Sequence, residues 1–107
     1  MNGIEEKTKK VNEWRVGGEV FYLKEMEGEF AASVKIRGSS KRPGGFSANI
    51  FEFACLMTQT VYDEAKRLGI RLYHEAVLSG HLESWDKGKG LKTYFIVDKV
   101  ESVRGYK

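Results

Sequence analysis

Aromatic and basic side chains recur together along this chain: Trp14, Phe21, Tyr22, Phe46, Phe51, Phe53, Trp85 and Tyr94 lie near Arg37, Lys41, Arg42, Lys87, Lys89 and Lys92. Unpaired nucleobases expose π faces that stack on Trp, Tyr or Phe. Lys and Arg can follow the phosphates alongside, and neither contact needs a particular base. Most aromatics in a small domain are core, so at least half of these are expected inside. The chemistry that the remainder suits is the holding of a single-stranded polyanion.

Enzymatic constellations are thin by comparison. His74 with Glu75, and His81 with Glu83, suggest a metal or acid–base set only until strand geometry is applied, since adjacent residues on a strand point to opposite faces. His74 and His81 are an odd interval apart and are also expected on opposite faces. Cys55 lies in an apolar run with no basic neighbour in sequence to lower its pKa, which fits a buried structural thiol rather than a nucleophile. The glycines of GSSKRPGG are wrongly spaced for a phosphate-binding loop, and a proline interrupts them. No cofactor, metal or catalytic residue is called for.

Charge distribution adds to the aromatic pattern. A formal charge of +3 and a pI near 9.0 are a mild basic bias. Arg37, Lys41 and Arg42 crowd one stretch without an acid among them, and Lys87, Lys89 and Lys92 crowd another beside Asp86. Glu25, Glu27 and Glu29 gather in a separate turn. Two positive arms on one small chain suit a polyanion.

The elements that must position these groups are mostly strands. The 107 residues suffice for one domain, taken as 13–107, while residues 1–12 are polar, lysine-rich and aperiodic and read as a flexible arm. Trp14 to Lys24 is a first strand, with Gly17-Gly18 marking a bulge or close approach. Phe30 to Arg37 alternates Ala32, Val34 and Ile36 with Ser33, Lys35 and Arg37, which gives a second strand one buried face and one wet, basic face. Gly38 to Gly45 is expected to be a mobile loop. Phe46 to Met57 is a third strand, apolar on both faces near its end, so that its second face is covered by another subunit or helix or displays aromatics to a ligand. Thr58 to Leu68 is the one helix: Val61, Ala65 and Leu68 share a face, Gly69 stops it, and Thr58 or Thr60 is available as a cap. Two β-rich runs from Arg71 to Val103 flank Asp86-Lys87-Gly88-Lys89-Gly90-Leu91 and make a closing hairpin.

Strands, one short helix, then a hairpin is the order of a mainly β, five-stranded oligonucleotide-binding Greek-key barrel with its helix between the third and fourth strands. At the run FEFACLM, the helix VYDEAKRL, the strand Val77-Leu78-Ser79-Gly80-His81-Leu82 and the last strand YFIVDKVESV, the chain resembles the bacterial single-stranded DNA-binding protein family, over roughly residues 14 to 103. The resemblance implies that Phe51 stacks on a base and that Met57 stands where a second stacking aromatic is usual. It also implies that Trp85 falls near the hairpin aromatic and that GSSKRPGG is the DNA-embracing loop. Those proteins commonly end in an acidic tail, which Val103-Arg104-Gly105-Tyr106-Lys107 does not resemble; a compact, divergent form of phage or mobile-element type is expected.

The function expected is therefore sequence-independent binding of single-stranded DNA, with RNA as a further ligand, by a cytoplasmic homodimer or homotetramer serving replication, recombination or repair. Phe51 and Trp85 are assigned to bases, and Lys35, Arg37, Lys41, Arg42, Lys87, Lys89 and Lys92 to phosphates. The alternative is a barrel of the same fold that has lost nucleic acid and uses its third-strand face for a protein partner. No apolar run is long enough to span a membrane, and the N-terminus lacks the apolar stretch of a signal peptide.

Overall fold

The computed structural model describes residues 11–41, 47–86 and 88–105, with the side chains of all of these except 39–41 and 47–50. The elements are β1 (Trp14–Glu25), β2 (Ala32–Lys41), β3 (Ser47–Met57), α1 (Gln59–Arg67), β4 (Glu75–Asp86) and β5 (Leu91–Arg104). The strands close into a barrel in the order β1-β2-β3-β5-β4. Among the described residues only the β3–β5 seam, through Leu56 and Ile96, is parallel. This is the five-stranded barrel with a helix between β3 and β4 that the sequence predicts.

Alternation builds the interior. Val20, Val34, Ile36, Met57, Leu78 and Val97 are fully buried, and Ala32, Cys55 and Ala76 fill the spaces between them. At one end Trp14, Phe53 and Phe95 pack ring on ring, with centroids 4.8 Å apart for Trp14–Phe53 and 4.7 Å for Phe53–Phe95. The Trp14 indole Nε1 donates to the His81 carbonyl at 2.9 Å. Trp14 and Phe53, two of the aromatics considered for binding, are thus committed to the core.

β1 reaches round the barrel by changing partners midway: residues 14–19 pair with β4 and residues 19–25 with β2. At the crossover a methyl group on Gly18 would overlap the Arg37 carbonyl, which is why a glycine stands there. Of the two readings of Gly17-Gly18, close approach is the one found, and the β1 bulge lies between Val20 and Tyr22. Two further bulges lie on β5, opposite Val77/Leu78 and Ser79/Gly80, and the residues skipped by the register are Glu101 and Asp98.

The helix docks through Tyr62 and Ala65, with Val61 and Leu68 partly buried against the core. Its end is a Schellman motif: Gly69, at φ +91°, donates to the Lys66 carbonyl at 3.0 Å and Ile70 to that of Ala65 at 2.9 Å. Thr58 occupies the N-cap, but its side chain makes no capping bond, and Thr60 lies inside the helix. The Tyr62 hydroxyl donates to Glu25 at 2.7 Å and ties the helix to the end of β1.

Two boundaries depart from expectation. β2 runs on through Gly38 to Lys41, with a bulge between Gly38 and Ser39, so the first half of the expected loop is strand paired to Ser47–Asn49 and Phe51. The rest of that loop, including Arg42, and almost all of the expected N-terminal arm lie outside the described residues.

Candidate nucleic-acid interface

Because Val34 and Ile36 point inward, Lys35 and Arg37 stand on the outer wall, and each rests on an aromatic ring from β1. The Lys35 ammonium lies 4.7 Å from the centroid of Tyr22, its partner in register. The Arg37 guanidinium lies 5.2 Å from that of Phe21, the ring that the β1 bulge swings beside it. A cation over a ring face is held by the quadrupole while its remaining donors stay available to an anion. Arg37 is also bonded by Nε to Glu19 at 2.9 Å, and Glu52 is its register partner on β3. The wet face of β2 is therefore basic only in part.

The same outer wall continues across the parallel seam. Phe95 and Val97 belong to the interior, so Lys92 and Tyr94 face out. Trp85 pairs in register with Lys92, and Glu83 with Tyr94. The Trp85 ring lies 4.5 Å from Tyr94 and 5.5 Å from Phe30, tilted by 30° and 31°. The Lys92 ammonium sits 5.6 Å from the Tyr94 centroid. Trp85 is half-buried, and with Phe30 and Tyr94 it forms an aromatic platform rather than an isolated exposed indole.

Phe51 occupies a different place. It is 36% exposed and covers Gly38, where any side chain would collide with its ring. Beside it a cleft of about 340 Å³ is lined by Arg15, Val16, Gly17, Glu52 and Phe53. Phe51 stands six positions before Met57 on β3, and the Met57 carbonyl accepts from Ala31, the residue after Phe30.

Met57 does not belong to this surface. It is fully buried, in register with Ala32 and facing the barrel interior, so its side chain neither offers nor blocks a second platform. Cys55 is likewise interior: its thiol donates to the Val34 carbonyl at 3.6 Å, and burial pushes its pKa up to about 12. Lys89 is exposed at the β4–β5 tip, between Gly88 and Gly90 in left-handed conformations. Lys41 lies on β2 with its side chain outside the described residues, and Arg42 and Lys87 lie outside them entirely.

Sequence reasoning missed one polar cluster. His81 Nε2 lies 2.6 Å from Glu83, and Nδ1 lies 2.8 Å from Asp98. His81 and Glu83 are two apart on β4 and share a face, while the bulge in β5 presents Asp98 from the other strand. The bonds to Glu83 first, and then to Asp98, raise the His81 pKa. Spacing of i and i+2 was a signal available in the sequence; the bulge was not. Phe30 and Tyr94, the partners of Trp85, were also not assigned to the site.

Similar architecture occurs in solved structures. A small single-stranded DNA-binding protein from Mycoplasma pneumoniae superposes with a TM-score of 0.60 at 15% identity, covering 85% of this chain and 92% of that one. A Plasmodium falciparum SSB in complex with ssDNA gives 0.56 at 17% identity, covering 92% and 97%. The chain has their fold. The dimeric N-terminal domain of PriB from Thermoanaerobacter tencongensis also matches, with a TM-score of 0.54 at 13% identity over 89% of this chain and 98% of that one. No protein-family model matches the sequence, and no curated protein is detectably similar to it. In this oligonucleotide-binding barrel the aromatic and cationic groups on the outer wall are set by the chain's own register.

Proposed function

We propose that this protein binds single-stranded DNA without sequence preference and without catalysis, as an accessory to replication, recombination or repair. The observation that carries the proposal is the outer-wall strip in which Trp85, stacked on Phe30 and Tyr94 beside Lys92, continues across the β3–β5 seam toward Lys35 on Tyr22 and Arg37 on Phe21. Aromatic faces and cations lie side by side in each of these groups, the combination that a single strand's bases and phosphates use. Lys89, and from outside the described residues Lys41, Arg42 and Lys87, would extend the phosphate contacts. Phe51, at its cleft, would take a base farther along. The solved structures of like fold include an SSB complex with ssDNA, which supports the same ligand.

Self-association into a dimer or tetramer goes with this function, since one barrel engages few nucleotides and one protein of like fold is dimeric. Light scattering that returns the 12.2 kDa mass of one chain at micromolar concentration removes that part of the proposal.

Titration with labelled oligo-dT at low salt tests the whole. Stacking is worth about 1–3 kcal/mol per base, so Trp85→Ala is expected to weaken binding about five- to a hundredfold. A bound base is also expected to quench Trp85 in a Trp14→Phe background. Unchanged fluorescence together with no mobility shift would refute the nucleic-acid function and leave the partner-binding barrel.

A further inference from the structure

The cations of the strip are not equivalent. Among the described residues Lys35 and Lys92 form no ion pair, whereas Arg37 is bonded to one acid and stands opposite another. Glu19 bonds its Nε at 2.9 Å from β1, and Glu52 stands opposite it in register on β3. The Glu19 and Arg37 side chains are 32% and 36% exposed, so both face the path that a ligand would take. Glu52 is exposed beside them and also borders the Phe51 cleft.

An acid in a polyanion's path lowers affinity for every nucleic acid, but unequally. A single strand is flexible and less densely charged. It can route its phosphates to Lys35 and Lys92, step past Glu19 and Glu52, and keep its stacking contacts, which do not depend on those carboxylates. A duplex carries one charge per ~1.7 Å, keeps its bases paired away from the platform, and is too stiff to steer around an acid; it must lay its charges across the whole wall. Electrostatics is nearly all that a duplex could gain here, and the two carboxylates subtract from that gain.

Resting on the single-strand function proposed above, we infer that Glu19 and Glu52 are specificity-determining residues that make the barrel reject double-stranded DNA. They place a net negative triad, with Arg37 among them, at the β1–β2–β3 end of the strip. While Glu19 holds its Nε, Arg37 offers a phosphate only its terminal amino groups, beside a carboxylate that repels it.

The test compares anisotropy titrations of labelled oligo-dT and of a blunt duplex of equal length at low salt, for the wild type, Glu19→Gln, Glu52→Gln and the double variant. The double variant is expected to bind duplex about tenfold more tightly and oligo-dT no more than about threefold more tightly, with both gains shrinking as salt screens the site. An unchanged ratio of the two affinities, or a loss of duplex binding, overturns the inference while leaving single-strand binding in place. Failure of the wild type to bind oligo-dT would instead remove the function on which it rests. Glu52 forms no ion pair among the described residues, so Glu52→Gln alone is expected to shift the ratio in the same direction even if removal of the Glu19–Arg37 pair disturbs the sheet.

Discussion

His81 is the residue whose environment makes the sharpest demand on pH. An imidazolium can donate from both ring nitrogens at once, to Glu83 and to Asp98, whereas a neutral ring donates only once and leaves a carboxylate facing the other nitrogen. The charged form is therefore favoured in the folded protein, and the pKa rises. In the unfolded chain it is expected near 6.5. A folded pKa above the unfolded one stabilises the fold fully below about pH 6.5, and that contribution fades as pH rises through the folded value. The His81 Hε1 resonance is expected to titrate with a midpoint above about 6.5, and His81→Gln to remove the matching decline in melting temperature. A midpoint at or below the unfolded value would mean that the clamp does not form in solution. Met57 and Cys55 show the opposite kind of residue, placed by packing alone: both face the interior, and neither takes part in the surface chemistry.

The strands carry most of what the sequence made legible. Ala32, Val34 and Ile36 alternating with Lys35 and Arg37 announced which side of β2 is wet, and the hairpin between β4 and β5 was marked by Gly88 and Gly90, both at positive φ. What stayed hidden was partner choice across the barrel. Nothing local in the sequence says that β1 changes neighbours at Glu19, that Phe30 reaches Trp85, or that bulges turn Asp98 toward His81 and Glu101 toward Arg15, which it meets at 2.8 Å. Each depends on register between segments far apart in the chain. Gly80 records one such approach: a methyl group there would overlap the Ile96 carbonyl oxygen and crowd the Trp14 ring. Gly80→Ala is expected to destabilise the barrel by more than about 3 kcal/mol, since backbone must move to admit the new atom. Gly28 has positive φ but open space around it, so Gly28→Ala is expected to cost only about 1 kcal/mol. Urea melts in which the two variants show similar stability would refute the close packing of β4 on β5.

For the molecule as a whole, three arginine ion pairs lie away from the strip, and Arg37–Glu19 lies on it. Arg67 is bonded to Glu64, Arg104 to Glu75 and Arg15 to Glu101, whereas among the described residues Lys24, Lys35, Lys89 and Lys92 form no ion pair. Lys24 and Lys35 belong to the β1–β2 wall, and Lys89 and Lys92 to the β4–β5 hairpin, the two elements that carry the aromatic strip. Counterions are held where cations lack carboxylate partners, and they are released when phosphates replace them. The salt dependence of binding therefore identifies the face that is used. Removing one cation that neutralises a phosphate of a bound single strand reduces the log–log salt slope by about 0.7. Lys35→Ala and Lys92→Ala are each expected to flatten the oligo-dT slope by about that amount and to lower affinity. Arg67→Ala and Arg104→Ala, whose guanidinium groups are matched by acids away from the strip, are expected to leave the slope unchanged. If the arginine variants flatten the slope as much as the lysine variants do, the strand follows another face of the barrel, and the strip running from Trp85 to Arg37 is not its path.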